Sequence, residues 1–161
     1  MKKTMRKLLF ELLKDSKRSD REIAKTLGVS QPTITRMRNR LIEEGMIQEF
    51  TIIPDFVKMG YEILAIDCFK SKMKEGLTEK AEKETMARPN ILFAARAQGM
   101  GKNAVVISMH KSYTDYSEFI TKLLFEGGND VEDHDTLLVS LRGLVVKPFS
   151  LKYLAELEEE Q

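Results

Sequence analysis

Cysteine is nearly absent from this chain: Cys68 is the only one. An intrachain disulfide and a cysteine-based zinc site are excluded, and the usage fits a reducing compartment, the cytoplasm. Long apolar runs are missing too. The longest, Ile91 to Ala95, has five residues, against the ~20 a membrane-spanning helix needs, so no membrane partner is expected. Net charge is scarce: 26 Lys/Arg against 25 Asp/Glu leave +1. Over the whole chain that speaks against a nucleic-acid partner. The two histidines, His110 and His134, have no His, Cys or Glu partner at ligand spacing. No Ser/His/Asp or Cys/His order suggests a nucleophile. Neither a metal, a cofactor nor an enzymatic activity is expected.

What is present sharpens the picture. The chain has 161 residues, 42% apolar and 32% charged, enough for one domain or two small ones with packed cores. The near-neutral sum is a split. Residues 1–60 carry 13 Lys/Arg against 8 Asp/Glu, a net of +5, and residues 61–161 carry 13 against 17, a net of −4. A basic module is joined to an acidic one.

The basic part reads as helices. Met5, Leu8, Leu9, Leu12 and Leu13 recur at one-face helical spacing; this basic-then-apolar N-terminus is interrupted by Glu11 and reads as a helix, not a leader. Ser19-Asp20-Arg21-Glu22 is a capping box. The helix behind it carries Ile23, Ala24 and Leu27 inward and stops at Gly28. Ser30 caps a third helix with Pro32 in its first turn, burying Ile34, Met37 and Leu41 and ending near Gly45. Met46 to Ile53 leans towards the strands of a wing, and Pro54–Gly60 is a connector, placing the domain boundary at 60.

Residues 61–161 read as strand 61–70, helix 77–87, strand 90–97, a Gly99-Met100-Gly101-Lys102 turn, strand 103–110, and a helix through Tyr116, Phe119, Ile120, Leu123 and Leu124 closed by Gly127-Gly128. A last strand lies within 131–142, most clearly 136–141. The order β-α-β-β-α-β is the split, ferredoxin-like arrangement, so the fold class is α+β. The strands are apolar on both faces, so something must cover the face without helices; a second copy of the chain is the simplest cover, and Leu144–Leu157 folding back is the alternative. Cys68 reads as core, Leu151–Glu160 as a short acidic tail helix.

Two short helices joined by Gly28-Val29-Ser30 form a helix-turn-helix, the second helix being presented to double-stranded DNA. Its exposed positions read Gln31, Thr33, Thr35, Arg36, Arg38, Asn39 and Arg40, with no acid before Glu43. Arg pairs with guanine, and Gln or Asn with adenine, in the major groove. Lys17, Arg18 and Arg21, with the capped amide ends at Ser19 and Ser30, are positioned for phosphates.

The stretches KDSKRSDREIAKTLGVS, RLIEEGMI and TIIPDFVKMGY resemble the winged helix and linker of the leucine-responsive-regulator family, Lrp/AsnC, and the βαββαβ half resembles that family's effector and oligomerisation domain. The resemblance implies a transcription regulator that forms a homodimer, often a tetramer or octamer, and that often senses an amino acid or related metabolite. It departs from the family in opening on Met1-Lys2-Lys3-Thr4 rather than Asp-x-x-Asp, in the Arg36-Met37-Arg38 of a MarR-like recognition helix, and in the missing Asp of the turn after Gly99. An effector is expected near Gln98, Gly99, Met100, Gly101 and Lys102 and the next helix start, Tyr113 and Asp115; a tight β-turn with a solvated Lys102 is the plain alternative. A branch of the family resembles haem-pathway decarboxylases, which would cast His110, Tyr113 and Arg96 as pocket residues; the Arg-rich helix argues against that. Gly99–Lys102 is not a phosphate loop, since Asn103 replaces Ser/Thr and the turn joins two strands. The acidic stretch Asp130, Glu132, Asp133, His134 and Asp135 reads as a solvated loop rather than a cation site.

Overall fold

Met5, Leu8 and Leu12 are buried along one stripe of α1, Lys3–Lys14, in the computed structural model, which describes residues 3–72, 77–125 and 131–157. Helix α2, Asp20–Leu27, starts on the expected capping box: Glu22 N–H donates to Ser19 Oγ (3.3 Å) and Ser19 N–H to Glu22 Oε2 (2.8 Å). It ends where Gly28 takes φ +65°, a left-handed conformation that suits a residue without Cβ. Helix α3, Gln31–Glu43, begins differently from expectation. Ser30 occupies the cap position without a side-chain cap hydrogen bond; its hydroxyl meets Thr33 Oγ1 at 2.8 Å, and its carbonyl accepts Thr33 N–H and Ile34 N–H. Leu8, Ile23, Ile34 and Leu41 are fully enclosed where the three helices meet.

Met46 to Ile53 forms no strand. The expected wing hairpin is missing because nothing between them, no Gly, Pro, Asn or Asp, turns the chain back on itself. Met46 and Ile47 instead donate their N–H groups to the Leu41 carbonyl, tying the segment to the end of α3. Pro54–Gly60 holds a helical turn, with Tyr61 N–H on the Phe56 carbonyl and Asp55 Oδ1 accepting Lys58 N–H.

The second half gives β1 (Ile63–Ser71), α4 (Leu77–Met86), β2 (Ile91–Gly99), β3 (Lys102–His110), α5 (Tyr113–Phe125) and β4 (Val131–Ser140). They form one antiparallel sheet in the order β2-β3-β1-β4. Gly76, Gly127, Gly128 and Asp130 lie outside the described residues. A short α6, Lys152–Leu157, buries Ala155 and lies against α1. The chain accordingly divides into residues 1–53 with 147–161, and residues 54–146. The C-terminal segment from Lys147, placed with the sheet by a boundary at 60, groups with the helices instead.

Register decides which face each strand residue shares. Ala65, Asp67 and Phe69 lie opposite Ser108, Val106 and Ala104, and this face packs under Tyr116, Phe119 and Leu123 of α5. The other face carries Leu64, Ile66 and Cys68 opposite Met109, Ile107 and Val105. Cys68 is therefore half-buried on the open face rather than in the core. Leu137 and Phe93 on that face are 62% and 52% exposed.

Two features under α5 escaped the sequence. Asp67 is fully enclosed, and its Oδ1 accepts from Tyr116 Oη (2.9 Å), Thr136 Oγ1 (2.7 Å) and the His134 ring (3.0 Å). Burial, with the Asp67 charge beside it, pushes the Tyr116 hydroxyl well above its usual range. His110, at the end of β3, is also enclosed; its Nε2 meets Ser108 Oγ at 2.8 Å while its Nδ1 lacks a hydrogen-bond partner. Burial lowers its pKa, outweighing the carboxylates of Asp115 and Asp67. A lowered imidazole is held neutral by the fold. Stability is then complete above the unfolded value of ~6.5 and falls as pH drops through it, by at most ~1.4 kcal/mol per pH unit until the folded value is reached. His110→Gln is expected to flatten that fall between about pH 7 and 5, read by urea unfolding across the range; an unchanged slope would contradict it.

Candidate nucleic-acid interface

The candidate surface is built by α2, the Gly28-Val29 turn and α3. Arg36 and Asn39, one turn apart on α3, are exposed, and neither has a hydrogen bond or ion pair among the described residues. The same holds for the exposed side chains of Gln31, Arg21 and Lys17. These five have both the freedom and the chemistry to meet DNA.

The rest of the expected set is engaged elsewhere. Arg18 pairs with the buried Glu11 and donates to Thr26 Oγ1 (2.6 Å). Burial would raise the Glu11 carboxyl, but hydrogen bonds from Lys14 and Arg18 hold it below its usual value. Arg38 donates from Nε (2.8 Å) and Nη2 (2.6 Å) to Asp20 Oδ1, and Thr35 donates to Asp20 Oδ2 (2.6 Å). Arg40 is exposed but paired with Glu44 at 2.6 Å. Thr33 meets Ser30 and Ser19 is taken up in its cap. Sequence reasoning missed Asp20 and Glu11 as the partners of these cations, since the pairs are 18 and 7 residues apart and no periodicity links them.

The effector candidates are not brought together within one chain. The Gly99–Lys102 turn opens β3 and Tyr113 follows its far end; at ~3.4 Å per residue the strand separates them by about 27 Å. Met100, 85% exposed, adopts φ +50° between Gly99 and Gly101 at φ +153° and +71°. Beside Met100, Gln98 is exposed. Lys102 is not solvated: it is buried and pairs with Asp133 and, at 2.8 Å, Asp135. Those hydrogen bonds raise its pKa. Glu132 to Asp135, expected in a loop, are thus part of β4, and Asp133 and Asp135 are held by this lysine. Asp115 accepts Lys111 N–H (2.9 Å), and Tyr113 is 65% exposed. The enzyme-like trio does not assemble either: His110 is sealed in the core, while Arg96 lies towards the other end of the sheet, opposite Ala104.

Residues 1–48 match the winged helix-turn-helix DNA-binding family. An HTH-type transcriptional regulator of Pyrococcus furiosus is 32% identical over 123 residues, 76% of this chain and 81% of that protein. The AsnC family transcriptional regulator from Agrobacterium tumefaciens superposes with a TM-score of 0.78 over 96% of this chain and 99% of that one, at 17% identity. The L-Met complex of a transcriptional regulator from Neisseria meningitidis gives 0.81 over 93% and 94%, at 15% identity. No helix among the described residues is long and apolar enough to cross a membrane. The helix-turn-helix match and the Pyrococcus relative show that the chain belongs to the HTH-type, DNA-binding transcriptional regulators, and its fold is that of the AsnC-type regulators.

Proposed function

We propose that this regulator is a sequence-specific homodimer in which α3 enters the major groove, Arg36 reads a base edge with Gln31 and Asn39 beside it, and Lys17, Arg21 and the amide ends of α2 and α3 hold phosphates. The observation that carries this reading is the contrast on α3: Arg38 and Arg40 are paired with carboxylates, and Arg36 is exposed and has no partner among the described residues. An unpaired guanidinium keeps its donors for guanine O6 and N7. Two copies joined through the open sheet face would present two such helices about one helical turn of DNA apart. An amino acid is the effector class proposed, supported by the L-Met held by the Neisseria structure of the same fold.

The test is fluorescence-anisotropy titration on a duplex selected by this protein from random-sequence DNA, without and with a panel of amino acids. Arg36→Ala is expected to lose about 1–3 kcal/mol, roughly 5- to 150-fold in affinity. As an exposed substitution it should change stability by no more than ~0.5 kcal/mol. Equal binding by Arg36→Ala and the unaltered chain would remove Arg36 from the reading role.

A further inference from the structure

The first turn of α2 holds an arrangement that the reading above leaves unused. Asp20 follows the Ser19 cap, yet both its oxygens face α3. Oδ1 accepts the Nε and Nη2 of Arg38, and Oδ2 accepts the hydroxyl of Thr35. Arg38 Nη2 also reaches the Arg18 carbonyl at 3.4 Å. The Asp20 and Arg38 side chains are only 19% and 18% exposed. Thr35 and Arg38 lie one turn apart on the same side of α3. One carboxylate therefore grips the reading helix at two points.

We infer that Asp20 is a positioning residue for operator selectivity: it fixes α3 against α2 and withholds Arg38 from DNA phosphates. This rests on the proposed DNA-reading role of α3. Binding to arbitrary DNA is driven by cations that displace counterions from phosphates. A guanidinium neutralised by a carboxylate, with two of its nitrogens engaged, contributes little to that process. Base reading instead needs Arg36 and Asn39 held at a fixed angle to the groove. The carboxylate serves both ends, suppressing the indiscriminate part of binding while keeping the discriminating part aligned. Asn in its place preserves size and one acceptor but removes the charge, so Arg38 becomes a free cation on a loosened helix.

The experiment measures the full-length chain and its variants against the selected duplex and a shuffled duplex, across a salt series. For Asp20→Asn, binding to shuffled DNA is expected to tighten about threefold at low salt. The plot of log K against log salt should steepen by ~0.9 per subunit, one added phosphate contact. The ratio of selected to shuffled affinity should fall by about tenfold. Asp20→Asn combined with Arg38→Gln should return the slope to its original value while selectivity stays low. Arg38→Gln alone should reduce selectivity and leave the slope unchanged; it also decides the matter if circular dichroism shows Asp20→Asn unfolded. A merely structural role would weaken both duplexes together with no steepening. An Asp20→Asn chain with the original slope and selectivity overturns the inference, as does a shallower slope or intact selectivity in Arg38→Gln. Absence of salt-dependent binding by the unaltered chain would instead overturn the DNA-reading role itself.

Discussion

Replacing Ile34 with Ala should cost about 2–4 kcal/mol of stability. Ile34 is fully enclosed on the inner side of α3 together with Leu8, Ile23 and Leu41. Removing most of its side chain loses the transfer energy of the deleted carbons and leaves a cavity that three short helices, fixed by a capping box and a left-handed glycine, cannot easily collapse. For domains whose total stability is ~5–15 kcal/mol, that is a large share. Urea unfolding should show the loss, and salt-sensitive DNA retention should vanish at temperatures the unaltered chain tolerates. Asn39→Ala, on the outer side of the same helix, should stay within ~0.5 kcal/mol. A cost for Ile34→Ala below about 1 kcal/mol would mean that α3 is not seated on this core.

The second large effect concerns association. Leu137 lies opposite Ile66 on the open sheet face and is 62% exposed in the single chain. Leu137→Asp should therefore leave the fold of one chain nearly unchanged. In the proposed dimer it would place an uncompensated carboxylate inside an apolar contact, at a cost on the order of 3–5 kcal/mol. The dissociation constant should rise by at least ~100-fold. Sedimentation velocity at micromolar concentration should show a dimer for the unaltered chain and a monomer for Leu137→Asp. A dimer in both would place the contact elsewhere. A monomer in both would remove the homodimer from the functional reading.

Local signals carried far into this structure. Ser19 and Glu22 announce the start of α2 and Gly28 its end, because caps and left-handed turns are decided by residues within a few positions. The βαββαβ order put both helices on one face, and Leu137 and Phe93 on the other face are exposed in the single chain. Pairings across sequence distance were not legible. Nothing in the spacing of Asp20 and Arg38, or of Glu11 and Arg18, tells that α1, α2 and α3 bring them together. The alternative of a solvated Lys102 failed because the lysine reaches Asp133 and Asp135 across the intervening β1, a tertiary fact. The separation of the Gly99–Lys102 turn from Tyr113 could have been read, since the strand that begins at Lys102 and runs to His110 stands between two parts of one expected site. The wing failed for want of a turn residue, which the sequence also shows.

On α3, Ile34 and Leu41 serve the core, Thr35 and Arg38 serve Asp20, and the side chains of Gln31, Arg36 and Asn39 have no hydrogen-bond or ion-pair partner among the described residues. Exchanging the last three leaves the cap, the grip and the buried apolar row untouched, at a cost within ~0.5 kcal/mol each. Under the proposed reading role of α3, drift at these positions re-addresses the protein to new target sequences one substitution at a time, with every intermediate still folded. Duplicated copies of such a chain could therefore diverge in the genes they control long before they diverge in architecture.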